Sequence, residues 1–168
     1  LAESQAGSYS SKGEAALGTE FYSVHFEANA IDLGKYGDFI SMMAVEPGST
    51  TITLTKNNTN WQPSWTNTAT LNEGEIYIWA NDDQNDSNIG TKISADKNIV
   101  VVSGTWAAGI GNSGTGEGRD IGVTQLLPTD KLGTDFLVHE GYNSSNGGTH
   151  AIVVAAENST DIYVNGSY

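Results

Sequence analysis

The sequence predicts an all-β, antiparallel fold, and three observations carry that prediction. Short apolar or alternating runs are separated by turn residues at close spacing, and no segment keeps a helical apolar period over three turns. The composition, with 20 Gly, many Asn, Ser and Thr and only 7 Lys plus Arg, belongs to a turn-rich β chain. A stretch near the start of the chain also returns about 115 residues later. The expected architecture is an antiparallel β-sandwich-like unit of about 115 residues with the start of a second copy. Propeller-like blades are the alternative, because strand order is not written in a single sequence.

The elements follow in order. Residues 1–16 are small and polar with no sustained period, and form an N-terminal segment outside the first unit. From Phe21, the residues Tyr22, Val24, Phe26 and Ala28 alternate with Ser23, His25 and Glu27, the period of a half-buried strand with the first set inward. Phe39 to Val45 is nearly continuous apolar sequence, suited to a strand buried on both faces. Pro47-Gly48 then predicts a reversal, with Thr50 to Thr55 returning as the second arm of a hairpin. Residues 56–68 form a polar loop, and a second hairpin is expected from Ala69-Thr70-Leu71, the turn Asn72-Glu73-Gly74, and Glu75 to Ala80. In that last strand Tyr77 and Trp79 face one way and Ile76 and Ile78 the other, which predicts core on both sides. Lys92 to Ala95 is a short strand, Asp96-Lys97-Asn98 a turn, and Ile99 to Trp106 the most β-branched segment and thus the expected central strand. A glycine-rich loop (109–118), a strand from Ile121 to Leu127 and a turn at Pro128-Thr129-Asp130 close the unit.

The duplication is explicit in two phrases. Leu17-Gly18-Thr19-Glu20-Phe21-Tyr22 recurs as Leu132-Gly133-Thr134-Asp135-Phe136-Leu137. The segment 44–54 (AVEPGSTTITL) recurs as 155–164 (AAENSTDIYV). The same order and nearly the same gap divide the chain into a first repeat unit, 17–131, and the beginning of a second, 132–168, which reads as truncated.

Charge and residue types narrow the function classes. A net charge of −13 repels phosphate backbones and anionic headgroups, which makes nucleic acid and membrane surfaces poor candidate partners, so no nucleic acid and no direct membrane insertion are expected. No apolar run is long enough to span a bilayer. The absence of cysteine removes disulfides, thiolate metal sites and cysteine nucleophiles. The three histidines, His25, His139 and His150, are dispersed in strand-like surroundings without metal-ligand spacing.

Two stretches are candidate sites. Asp82, Asp83, Asn85 and Asp86 place carboxylate and amide oxygens on one short loop, the hard-oxygen chemistry that calcium requires, although the central glycine and closing glutamate of the helical calcium loop are missing. Trp61 and Trp65 flank Pro63 in a polar loop and can present indole faces to a sugar ring. Gly109-Ile110-Gly111-Asn112-Ser113-Gly114 matches a dinucleotide-binding pattern, but more glycine follows instead of the helix that the pattern needs, so it reads as loop. Five Asn-x-Ser/Thr sequons begin at Asn57, Asn85, Asn143, Asn158 and Asn165.

Gly18 to Tyr22, Leu71 to Tyr77, Ile93 to Gly104, Thr124 to Phe136 and Val153 to Gly166, taken as an ordered set, resemble the IgGFc-binding-protein N-terminal domain family. The resemblance spans almost the whole chain. It departs in one place: many members carry a cysteine pair and an Asp-His after the central strand, whereas this chain keeps Asp120 and has neither cysteine nor histidine there. The resemblance implies a secreted, cell-surface setting and a non-enzymatic binding or structural module of a long bacterial surface protein, acting in adhesion, surface filament architecture or gliding. Its expected partners are an extracellular protein or glycan and further domains of the same long chain. The alternative is a carbohydrate-binding or carbohydrate-active β domain using Trp61 and Trp65.

Overall fold

A computed structural model describes residues 9–25, 37–57, 64–81, 87–108, 120–137 and 151–164. Among them the chain is all-β and antiparallel as expected, with two short 3-10 turns at Gly13–Ala16 and Thr129–Lys131 and no α-helix. Seven strands form one sheet: β1 (Gly18–Tyr22), β2 (Asp38–Ala44), β3 (Thr50–Lys56), β4 (Trp65–Leu71), β5 (Ile76–Asn81), β6 (Lys92–Ala108) and β7 (Asp120–Gln125).

The long strand β6 organises the sheet. Its first part pairs with β3 on one edge (Ile52↔Ala95, Thr55↔Lys92) and β1 on the other (Phe21↔Ile93, Tyr22↔Lys92). Its second part pairs with β2 (Asp38↔Thr105, Ala44↔Ile99) and β7 (Val102↔Gln125). All four neighbours run antiparallel to β6, so β2 and β3 run in the same direction and lie end to end along one edge. The hairpin expected between them across Pro47-Gly48 does not form. The segment bulges outward and continues in the same direction, because seven residues (45–51) stand opposite three (96–98) between the paired ends Ala44↔Ile99 and Ile52↔Ala95. The second expected hairpin fails in the same way: β4 pairs with β3 and β5 with β2, never with each other. Asp96-Lys97-Asn98 is likewise not a turn, since β6 runs straight through it.

Three turn-like signals therefore mark one corner. It is pinned by Glu46, whose Oε1 accepts from the Asn98 N–H and Nδ2, by Lys97 Nζ on the Pro47 carbonyl at 2.8 Å, and by the Thr51 N–H on Asp96 Oδ1 at 2.8 Å. Gly48 and Gly74 supply the left-handed backbone (φ +79° and +80°) that the bulges need. On either side of the corner the sheet has four strands, β4-β3-β6-β1 and β5-β2-β6-β7.

The corner curls the sheet into a half-barrel. Trp65 and Trp79 lie on the continuous ribbon β4–β5 and would stand about 45 Å apart if it were straight. Their ring centroids are 4.9 Å apart. The two halves face each other across a core of Phe21, Ile40, Met42, Ile52, Leu54, Ile93, Ile99 and Val101, all fully buried. Two face assignments differ from expectation. In and after β1 the buried set is Phe21, Ser23 and His25, while Tyr22 and Val24 are half-buried. In β5 only Tyr77 and Trp79 face the core; Ile76 and Ile78 are more than half exposed on the convex side, because β5 is an edge strand with one covered face.

Candidate functional site

The ends of the two sheet halves farthest from the corner meet at the mouth of the half-barrel, and the polar residues there are buried. The period-2 pattern of β3 turns Ile52, Leu54 and then Lys56 inward, so a lysine ends a strand of core residues. Lys56 is 4% exposed, and its ammonium donates to the carbonyls of Ser87 and, at 2.8 Å, Ile89. A buried ammonium needs such acceptors to offset its lost hydration. The lysine thereby ties the segment before β6 to the end of β3.

Asp38 opens β2 at the same end and ties that segment to the other half. Its Oδ2 accepts the Asn88 backbone N–H at 2.7 Å and the Ser87 hydroxyl at 3.3 Å, and its Oδ1 accepts Asn88 Nδ2 at 3.0 Å. Nε2 of His25 lies 3.2 Å from Oδ2. The Asn88 side chain completes the chain of contacts by accepting the Trp79 indole N–H at 3.2 Å. A second buried pair, Ser23 Oγ and Ser103 Oγ at 2.8 Å, joins the segment after β1 to β6. The Lys56, Asp38–Asn88 and Ser23–Ser103 contacts join residues 31 to 80 positions apart, so the cluster is a clasp that holds the mouth in one shape. Its histidine and aspartate side chains are 1% and 7% exposed, which places them beneath the surface. Strands β3 and β5 end at this mouth, at Lys56 and Asn81, and their partners β4 and β2 begin there, at Trp65 and Asp38.

The residues singled out from sequence divide as follows. Trp65 is half-buried at the mouth, its ring tilted 32° against Trp79 and packed on the core. Trp61 and the expected calcium ligands Asp82, Asp83, Asn85 and Asp86 lie outside the described residues, as do His139, His150 and the glycine-rich segment 109–118. Among the described residues no group of three or more His, Asp or Glu is placed to hold a metal ion. Of the clasp residues, His25 stands in the sequence reading only as one of three dispersed histidines, and Asp38, Lys56 and Asn88 were not singled out. The signal for Lys56 was present in its inward parity with Ile52 and Leu54; Asp38 and Asn88 meet only through tertiary folding.

A family model described as IgGFc binding protein matches residues 9–168. The chain belongs to the IgGFc-binding protein family. Domains of this family are extracellular binding domains, and no helix among the described residues is long and apolar enough to cross a membrane. No curated protein and no solved structure matches the chain.

Proposed function

We propose that this domain is a non-enzymatic binding module of a long bacterial cell-surface protein, acting in adhesion, surface filament architecture or gliding. Its contact surface is the mouth of the half-barrel. The observation that supports this reading most is family membership over nearly the whole chain, in a family of extracellular binding domains. The clasp adds a physical reason. The clasp fixes the strand ends at the mouth, so holding those ends adds little ordering cost to partner binding. Its buried His25 and Asp38 suit support of those ends better than proton transfer, which requires reach to a substrate. The partner is an extracellular protein or a glycan, and Asp82, Asp83, Asn85 and Asp86 are the proposed calcium ligands. In the carbohydrate-binding alternative Trp61 is the stacking residue, because the Trp65 ring is engaged with Trp79.

The test is a binding panel on the 168-residue chain, with immunoglobulin Fc fragment and arrayed glycans as probes, in calcium and in chelator. The proposal expects saturable binding that Asp82→Asn with Asp83→Asn weakens and chelator abolishes. Glycan binding lost with Trp61→Ala and indifferent to calcium supports the alternative. Turnover of a glycan substrate contradicts the non-enzymatic reading.

A further inference from the structure

The edge strand β5 presents backbone groups as well as side chains. At the start of its pairing with β2 the Ala44 N–H donates to the Glu75 carbonyl at 3.1 Å. Hydrogen-bonded pairs alternate along an antiparallel ladder, so with Met42↔Tyr77 and Ile40↔Trp79 in register, Tyr77 and Trp79 turn their backbone N–H and C=O toward β2. Ile76, Ile78 and Ala80 turn theirs to the outer edge. The same parity holds one strand further in, where the Gly37 carbonyl accepts the Trp106 N–H at 3.3 Å and the odd residues of β2 face β6. Among the described residues no strand pairs with the outer edge of β5. Beside those backbone groups Ile76 and Ile78 are 58% and 54% exposed on the convex side. A row of unpaired edge groups next to exposed branched side chains is a template for one more strand.

Charge decides which strand fits. Between Lys56 and Lys92 the sequence has no lysine or arginine and five carboxylates: Glu73 and Glu75 just before β5, and Asp82, Asp83 and Asp86 just after it. Glu73 and Glu75 are exposed. A second copy added about a two-fold axis would run antiparallel to β5. The glutamates that precede one strand would then meet the aspartates that follow the other, like charge against like charge at both ends. A strand with an apolar centre and basic ends meets opposite charge at both ends, and the net charge of −13 steers it inward.

We propose that the outer edge of β5 is a docking site for an extended segment of a cationic protein, bound by strand addition. The segment runs antiparallel to β5, exchanges backbone hydrogen bonds with Ile76, Ile78 and Ala80, and lays branched apolar side chains beside Ile76 and Ile78. Lysine or arginine at its ends pairs with the acidic flanks. The hydrogen-bonding residues of this edge are not those of the clasp, so its failure leaves the proposed function at the mouth untouched.

The probe is a fluorescent nine-residue peptide, KRVTVTVRK, with EEVTVTVEE as its control, titrated into the 168-residue chain by anisotropy. Amide hydrogen exchange is followed residue by residue on the complex. Saturable binding of the basic peptide is expected, with exchange slowed at the amides of Ile76, Ile78 and Ala80. Glu73→Lys with Glu75→Lys weakens it by at least about tenfold, a loss of ~1.4 kcal/mol. Salt at about 1 M, where charges are screened beyond about 3 Å, weakens it in the unaltered chain as well. Absence of binding overturns the proposal. So does binding that leaves those three amides exchanging as in the free chain, which would mean loose association with the acidic surface. Equal binding of the acidic control also overturns it, as does dimerisation of the chain alone that protects the same amides, making a second copy the occupant.

Discussion

Replacing Asp38 by alanine removes the acceptor on which the clasp converges. In the wild type its carboxylate takes the Asn88 N–H at 2.7 Å and Asn88 Nδ2 at 3.0 Å, and Asn88 is fully buried. The buried Asn88 N–H loses its acceptor, whereas Nδ2 keeps the Asp38 backbone carbonyl at 3.4 Å. An unsatisfied buried donor costs about 1–3 kcal/mol. With the weakened Nδ2 contact added, the expected loss is about 2–3 kcal/mol, a large part of the ~5–15 kcal/mol that stabilises a domain. With a urea slope of about 2 kcal/mol/M, the unfolding midpoint should fall by roughly 1–1.5 M. Asp38→Asn keeps one carbonyl oxygen for the Asn88 N–H, and should lose about half as much. The assay is urea unfolding followed by tryptophan fluorescence, which reports the mouth directly through Trp79. A midpoint for Asp38→Ala within about 0.3 M of wild type would refute the claim that this network holds the mouth.

Further perturbations follow from the same contacts. A Cβ on Gly104 would meet the Gly122 carbonyl oxygen and the Phe39 ring at 3.1 Å, so Gly104→Ala should cost about 1–3 kcal/mol in thermal or urea unfolding. Trp79→Phe keeps a ring against Trp65 but removes the N–H that Asn88 Oδ1 accepts, with an expected loss of about 1 kcal/mol in urea unfolding. Lys92 is held above its ordinary value of 10.5 by its hydrogen bond to Glu20, with partial burial opposing and the Glu20 charge adding. A raised lysine pKa gives stability that is fully present below pH 10.5 and is lost as pH rises through the folded-state value. The pair is 38% and 41% exposed, so Lys92→Met should cost only about 0.2–1 kcal/mol at pH 7 and low salt, and that difference should shrink above about pH 10.5 in a pH series of unfolding curves.

Most strands were legible in the sequence, although the expected polar loop 56–68 includes the end of β3 and the start of β4, and chain direction was not legible. The apolar run before Pro47, the alternation after it and the β-branched run 99–106 all became strands. Pro-Gly, Asn-Glu-Gly and Asp-Lys-Asn mark places where the backbone leaves the pleat, and a reversal and a corner demand the same local chemistry: exposed polar residues and left-handed glycines. Register alone separates them, and register depends on residues distant in sequence. The face of β1 was inverted for a related reason. Ser23 and His25 look like surface residues, yet each is buried beside a polar partner, Ser103 and Asp38. The outward Ile76 and Ile78 show the converse, since an edge strand keeps apolar residues on a face that nothing in the described chain covers. Lys56 was readable as inward from its parity, whereas Asp38 and Asn88, 50 residues apart, were brought together only by the fold.

The account turns on the corner, because the corner creates the curl and the curl brings the clasp together. In an isotopically labelled sample, nuclear Overhauser contacts of Trp79 decide the matter. The curled sheet predicts contacts from the Trp79 backbone to Ile40 and from its ring to Trp65. A β4–β5 hairpin closing at Leu71 and Ile76 would instead place Trp79 opposite Thr68, and contacts between those two backbones without the ring contact to Trp65 would contradict the account.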